Sequence, residues 1–286
     1  MIYRLRSFFC KCKEFCGLYP ELSEGTKRLL AAVPFVLLIS IYVVASLIRH
    51  SNNPDDKLLP TIAQMLYSFS GIAFAPDLRN GEYRLLLDTY SSLRRIFCGV
   101  ALSATLGLFM GLHMGLFPVV RSLFLGFSTF VSIIPPLAVL PILFMIFGVE
   151  ETAKVALIFV GTCPLILRDI FLATSMFPRD HITKALTLGS SNLQVVYRIV
   201  LPQIMPRLIN TVRLSLGPAW LFLLAAEFVA SNSGLGYRIY LMRRLLAMDV
   251  IIPYVLWITI LGFFCDWSLR KLMKWKYKWY LGFQQE

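Results

Sequence analysis

A chain of 286 residues that is 57% hydrophobic and 15% charged lies far from the roughly 25% charged residues of a soluble domain, which excludes a water-soluble enzyme or binding module and leaves a membrane protein. The mean hydropathy of +0.69 agrees. The formal charge of +12 would suit nucleic acid only on a basic soluble domain, and none is present to carry one; basic segments beside a membrane meet anionic membrane lipid instead.

Residues 1–28 form a basic tail with Arg4, Arg6, Lys11, Lys13, Lys27 and Arg28. Its Cys10, Cys12 and Cys16 match no usual zinc spacing and have no histidine nearby, so they read as reduced thiols without a metal site. Cys98, Cys163 and Cys265 fall in apolar runs and read as small core residues, and no disulfide is expected. The apolar runs are Leu29–Ile48, Ile96–Met114, Ser122–Phe147, Val155–Ala173, Leu208–Phe228 and Ile251–Leu269. Each approaches or exceeds the ~20 residues that carry a helix across a bilayer. The fold class is therefore all-α, a polytopic membrane protein with six transmembrane helices. Lys27 and Arg28 precede the first run and no small-residue cleavage site follows it, which marks an anchor and not a signal peptide.

The organisation read from these runs is a tail (1–28), a first span (29–48), an outer segment (49–95), a five-span core (96–269) and a second basic tail (270–286). The last carries Arg270, Lys271, Lys274, Lys276 and Lys278 among Trp275, Tyr277, Trp279 and Tyr280. Two basic tails on one side require an even number of spans, and the positive-inside rule places both termini and the loop Pro178–Arg207 in the cytoplasm. Arg94, Arg95, Arg238, Arg243 and Arg244 break that rule by falling outside.

The outer segment holds Pro54, Asp55, Asp56, Pro60, Pro76 and Asp77, and between the prolines Thr61–Phe74 is amphipathic enough to lie along the membrane surface. In the second span Gly107, Gly111 and Gly115 recur every four residues, a stripe that lets helix backbones approach closely, either inside one subunit or at a dimer seam. Pro135, Pro136 and Pro141 in the third span free backbone carbonyls that neighbours or water must satisfy; a bent helix beside a transport pathway and a kink used only for packing both fit. Span four ends at Arg168-Asp169, which suits the cytoplasmic boundary. Glu227, near the outer end of span five, is costly in a bilayer and faces a bundle interior or water. It either lines a pathway or gate, or pairs with Arg238 or a backbone amide. Ser231, Asn232, Ser233, Gly234 and Gly236 follow in a small, polar stretch able to form a re-entrant turn. Asp266 is placed to pair with Arg270 on the next turn.

The stretch Thr183–Pro202, TKALTLGSSNLQVVYRIVLP, reads as two short helices joined by a turn. Asp180 can cap the first, Gly189 can end it in a left-handed conformation, and Ser191 with Gln194 makes a capping box for the second. Pro202 closes that helix and Pro206 restarts the chain. This run resembles the "EAA" loop of ABC-transporter permeases of the binding-protein-dependent importer type: Gly189, nine intervening residues, then Ile199-Val200-Leu201-Pro202. Thr183-Lys184-Ala185 stands where Glu-Ala-Ala is usual. The likeness, to the taurine, alkanesulfonate, nitrate and bicarbonate branch, extends from about Leu59 to the C-terminal end through Leu59-Pro60-Thr61, IPPLAVLPIL from Ile134 and AAEFVASNSGLGY from Ala225.

The resemblance implies that residues 183–202 form a coupling helix region docking on a separate ATPase. Thr183, Lys184, Ala185 and Gly189 would lie at the contact, Leu186, Leu188, Leu193, Ile199, Leu201 and Pro202 would supply or shape its apolar face, and Arg198 would pair with acidic rim residues. It also implies a second copy of this chain, two ATPase subunits and a periplasmic binding protein, with localisation in the bacterial inner membrane. Pro135, Pro136, Pro141, Glu227 and the Ser231–Gly236 turn would lie near the pathway and outer gate, and Arg238, Arg243 and Arg244 would face acidic residues of the binding protein. No GxxxxGK[ST] phosphate loop occurs, so this chain is expected to bind no cofactor itself, with ATP and Mg held by the partner ATPase. An intramembrane enzyme would need paired groups at bilayer depth, whereas His50, His113 and His181 fall in different segments. A passive channel would not need the loop spacing. The basic outer mouth fits a small anion such as a sulfonate or nitrate, and Glu227 would suit a urea- or guanidine-like solute.

Overall fold

The computed structural model describes residues 24–52, 57–74, 83–229 and 231–282. Cys10, Cys12 and Cys16, the basic residues before Glu24, and Pro54, Asp55, Asp56, Pro76 and Asp77 lie outside the described residues. The chain divides into two compact units, Met1–Gln64 and Met65–Glu286.

In the first unit, helix α1 (Glu24–Asn52) contains the first apolar run. Its large apolar side chains, Phe35, Leu38 and Ile41 among them, are exposed, as a lipid-facing helix requires. The Tyr42 hydroxyl donates to the Pro60 carbonyl at 2.7 Å and the Ser46 hydroxyl to the Leu59 carbonyl at 3.1 Å. These side chains satisfy backbone acceptors of a segment that makes no ladder of its own. Thr61 and Gln64 then cap α2 (Ile62–Phe74) reciprocally, with Thr61 N–H donating to Gln64 Oε1 at 2.9 Å and Gln64 N–H to Thr61 Oγ1 at 3.4 Å.

The second unit is built on α3 (Arg84–Leu116) and α6 (Glu151–Ser175). Helix α3 begins well before the apolar run at Ile96, so Arg84–Arg95 is a helical extension of span two and not connector. Along their contact, a Cβ added to Gly99 would meet Ile158 at 2.7 Å, one on Gly107 would meet Ile166 at 2.9 Å, and one on Gly115 would meet Thr174 at 2.5 Å. Gly111 faces Ile170 in the same way, and the Thr162 hydroxyl donates to Ser103 Oγ at 2.7 Å. Small residues every four positions on α3 thus meet residues every four positions on α6, in one register along two parallel helices. The glycine stripe packs within the subunit. Gly107→Val should therefore cost ~1–3 kcal/mol by overpacking, because Leu167 N of the neighbouring backbone lies 3.1 Å from the added Cβ and cannot swing aside. A thermal unfolding temperature in detergent equal to that of the parent would refute this.

The third apolar run is not one straight span. Helix α4 (Pro118–Ile133) and helix α5 (Pro136–Phe147) meet at 98°. The cause is the Pro135-Pro136 pair: Pro135 holds the extended conformation favoured before another proline, and Pro136 opens the next helix. The remaining elements are α7 (Arg179–Thr187), α8 (Asn192–Gln194), a π-helical segment (Val195–Val200), α9 (Leu201–Val229), α10 (Leu235–Arg244), α11 (Met248–Lys276) and α12 (Lys278–Gly282). Among the described residues, five helices are long and apolar enough to cross a membrane, and the bent α4–α5 pair makes up to six.

Pro202 and Pro206 do not interrupt the chain as the sequence suggests. A continuous helical path runs Asn192–Val229. Proline lacks a donor and crowds the carbonyl four residues back; here the widened turn ahead of it, in which Leu201 N–H reaches back to the Val196 carbonyl, absorbs the misfit. Around the start of this helix, Val195, Val196, Val200, Ile204 and Leu208 pack with Leu112, Ile166, Ile170, Phe177 and Ala185 into one apolar cluster. A second cluster, including Ile96, Val100, Leu157, Ile158, Phe222, Leu223 and Tyr254, fills the other half of the bundle.

Candidate functional site

Helix α6 has 25 residues and, at 1.5 Å per residue, is about 37 Å long. It therefore separates two assemblies of polar residues, one around its start at Glu151 and the other beyond its end at Ser175.

The first assembly is buried. Asp88, Ser92 and Arg95 share one face of α3 at helical spacing, and all three are buried. Arg95, 2% exposed, spends all five of its donors. Nε and Nη2 each reach a Glu151 oxygen at 2.6 Å, Nη1 reaches Glu227 Oε1 at 2.6 Å and the Ser233 carbonyl at 2.8 Å, and Nη2 also contacts Ser233 Oγ at 3.4 Å. Glu227, with no exposed surface, further accepts from Ser92 Oγ at 2.8 Å and from Gly236 N–H at 2.7 Å. Lys154 Nζ donates to Glu151 Oε1 at 3.1 Å and to Ser231 Oγ at 3.2 Å. Asp88 accepts from Gly234 N–H at 3.0 Å and pairs with Arg238 at 2.9 Å.

The backbone makes this geometry possible. Gly234 has φ +125°, and a Cβ there would lie 2.5 Å from Glu227 Cδ and 2.6 Å from Arg95 Nη1. A Cβ on Gly236 would lie 2.9 Å from Glu227 Cβ. Only glycine lets the 231–236 turn wrap the carboxylate this closely. Arg95 and Lys154 balance Glu151 and Glu227, and Arg238 balances Asp88, which suits ions held away from water.

Two sequence readings change here. Of the two partners read for Glu227, the backbone amide is present, that of Gly236, while Arg95 takes the place of Arg238, which Asp88 holds. Arg238 is accordingly held inside, while Arg243 and Arg244 are exposed, with Arg244 stacked over the Tyr240 ring at 4.7 Å. Beside the network lies a cavity of about 690 Å³ lined by Glu150, Glu151, Lys154, Ser231, Asn232 and Ser233 with Phe144, Val149 and Val229. Pro135 and Pro136 form the break between α4 and α5, and Pro141 lies within α5. Asp88, Ser92, Glu151 and Lys154 are the members that the sequence reading passed over, and Arg95 entered it only as an exception to the positive-inside rule. Their signal was present as the 88/92/95 helical spacing and the 151/154 spacing.

At the other end, α7 starts from Pro178 with no side-chain cap. Asp180 sits in its first turn, where a carboxylate favours the helix dipole, rather than at the cap. Gly189 ends the helix with φ +87°, and its surroundings leave open space. Ser191 and Gln194 form the reciprocal capping box, at 3.3 and 2.9 Å. Ala185 is buried in the apolar cluster that the loop shares with α3, α6 and α9, whereas Leu186, Leu188 and Leu193 are exposed, Leu188 by 86%. Thr183, Lys184 and Arg198 are exposed, Ile199 and Leu201 are half-buried, and Pro202 is exposed. Asp169 holds this end to α9 through Arg207, at 2.5 and 2.8 Å, and through the Thr211 hydroxyl. Asp266 on α11 pairs with Arg270 and also with Arg213, the latter at 3.1 Å.

A bundle of apolar spans, one of them broken, with a capped helical loop at one end is the build of a membrane transport component. Residues 103–275 match the family described as "binding-protein-dependent transport system inner membrane component", and the chain belongs to that family of ABC transporter permeases. It is 32% identical over 203 residues to a probable ABC transporter permease protein of Brucella abortus strain 2308, across 70% of this chain and 80% of the relative. It is 31% identical over 184 residues to the taurine transport system permease protein TauC of Escherichia coli K12, across 64% and 67% respectively. Permeases named for aliphatic sulfonates in E. coli and for bicarbonate in Synechococcus elongatus match at 30% and 28% identity. An inward-facing structure of the MetNI methionine ABC transporter shares the fold, with a TM-score of 0.58 at 18% identity over 65% of this chain and 93% of that one. The chain is a transport subunit and not an enzyme.

Proposed function

We propose that this permease moves a small polar anion of the sulfonate or nitrate kind from periplasm to cytoplasm by alternating access, driven by a separate ATPase. Two copies form the pathway about a twofold axis, two ATPase subunits bind ATP and Mg²⁺ on the cytoplasmic side, and a periplasmic binding protein delivers the solute. Both basic termini then lie in the cytoplasm, beside anionic lipid.

The observation that carries this reading is the 179–202 loop. Its fold is secured from within, by Ala185 against the valines, by the Gly189 turn and by the capping box, yet it leaves Leu186, Leu188 and Leu193 exposed. Leucines held rigidly in water at one end of a membrane bundle fit a partner's groove. At the other end, the exposed Arg243 and Arg244 suit an acidic binding-protein rim. The anion reading draws on the relatives named for taurine, aliphatic sulfonates and bicarbonate. Glu227 offers nothing to a urea- or guanidine-like solute, since Arg95, Ser92 and Gly236 already occupy its oxygens.

The test is purification of the chain in mild detergent from its host, with identification of what accompanies it. An ATPase subunit should co-purify, and its hydrolysis in proteoliposomes should rise when the binding protein and a sulfonate are added. A chain that purifies alone, and stimulates no ATPase on reconstitution, would end the importer reading.

A further inference from the structure

The structure holds a second cavity, of about 580 Å³, between the α4–α5 break, α6 and α9; Ser132, Pro136, Pro164, Arg168, Gly217 and Pro218 contribute to its wall. Three features of this wall point the same way. Pro164 and Pro218 sit inside spans and remove the N–H groups that would pair with the Val160 and Leu214 carbonyls. With the chain turn at Ile134–Pro135, irregular backbone is concentrated on one cavity, and at membrane depth such backbone is tolerated where it is buried in protein or lines water.

Among the described residues, Arg168 is the only ionisable side chain of that wall. It lies in the last third of α6, on the side of the bundle that carries the 179–202 loop. The adjacent Asp169 is committed to Arg207 and Thr211, and among the described residues no carboxylate lies within ion-pair distance of Arg168. Arg168 is exposed, whereas among the described residues the less exposed arginines of the bundle's spans, Arg95, Arg207 and Arg213, each have a carboxylate partner. A guanidinium left without a counter-ion inside a span is costly unless it faces a water-filled space, and there it sets the sign of the local potential.

We infer that Arg168 is a selectivity residue of the inner conduit: its free guanidinium concentrates small anions in the cavity between the α4–α5 break and α9 and repels cations. This rests on the importer reading for its role in transport, but its electrostatic content can be measured without knowing the solute. In a background lacking the six native cysteines, Ser132→Cys and, separately, Leu221→Cys place a thiol on the cavity wall. The probes are two thiol-specific methanethiosulfonates of similar size, one carrying a sulfonate and one a quaternary ammonium. The assembled complex in proteoliposomes is labelled while its ATPase activity is followed.

The sulfonate reagent should be favoured at both positions. Arg168→Gln should lower the sulfonate-to-ammonium rate ratio by about tenfold, the effect of one nearby unit charge acting in opposite senses on the two reagents, and Arg168→Lys should retain it. A ratio unmoved by Arg168→Gln, or thiols at both positions that react with neither reagent while ATPase activity is normal, would overturn the assignment of Arg168 and leave the importer reading standing. ATPase that never responds to the wild-type permease would instead overturn the importer reading and the conduit role together.

Discussion

Leu188→Asp is expected to abolish coupling to the ATPase while leaving the permease folded. The side chain is 86% exposed and follows the last turn of α7, so an aspartate there touches nothing within the chain. Substitutions at such surface positions usually move stability by less than about 0.5 kcal/mol. In the proposed complex the same position lies in an apolar groove, where an unpaired carboxylate costs several kcal/mol. At ~1.4 kcal/mol per tenfold, affinity for the ATPase should fall by roughly 100-fold or more, read as loss of co-purification and of stimulated hydrolysis. Ala185→Asp should give the same loss by another route: Ala185 is buried among Val195, Val196 and their neighbours, so a charge there loosens the loop itself and lowers the unfolding temperature as well. Coupling lost in Ala185→Asp but intact in Leu188→Asp would mean that the ATPase does not grip this face.

Much of this loop was legible because its determinants are local. The left-handed φ of Gly189 and the Ser191–Gln194 box follow from residues within a few positions of each other, and the structure has both. Pro202 misled for a related reason: a proline that normally ends a helix was accommodated by a π-helical segment, and nothing nearby in the sequence announces one. The bend of the third span was legible in Pro135, Pro136 and Pro141, but its size was not, since a hydropathy window is blind to the 98° turn that Pro135-Pro136 creates. The buried network was hardest to see because its members come from four helices, α3, α6, α9 and α10, and an uncharged turn, with only one or two charges on each helix. Charged residues at 88 and 95 also lowered the local hydropathy, so the first turns of α3 read as connector. The glycine stripe was partly visible at 107, 111 and 115. Its continuation through Gly99 and Ser103 became evident only once the matching positions on α6 were in place.

The other large effect is expected at Glu227. Glu227→Ala removes a carboxylate that accepts three hydrogen bonds and leaves Arg95, 2% exposed, with one fewer counter-ion. Breaking a buried pair from one side costs about 3–5 kcal/mol, because the remaining charge stays desolvated. For a chain of this size that corresponds to roughly 6–20 °C in unfolding temperature. Glu151 makes an instructive contrast. It also holds Arg95, by two bonds of 2.6 Å, but it is 49% exposed at the cavity, and water can take over much of its work, as it does for surface pairs. Glu151→Ala should therefore lower stability much less than Glu227→Ala. The asymmetry has a mechanical meaning. Glu227, Ser92, Arg95 and the 231–236 turn bind α3 to α9 as one block, and the joint to α6 through Glu151 is the one that water can enter. If this end of the bundle opens during transport, separation at Arg95–Glu151 costs least, and Glu151→Ala should raise basal ATPase activity in the assembled complex where Glu227→Ala lowers the yield of folded protein. Equal destabilisation by the two substitutions would show that the network yields as a whole, without a preferred joint.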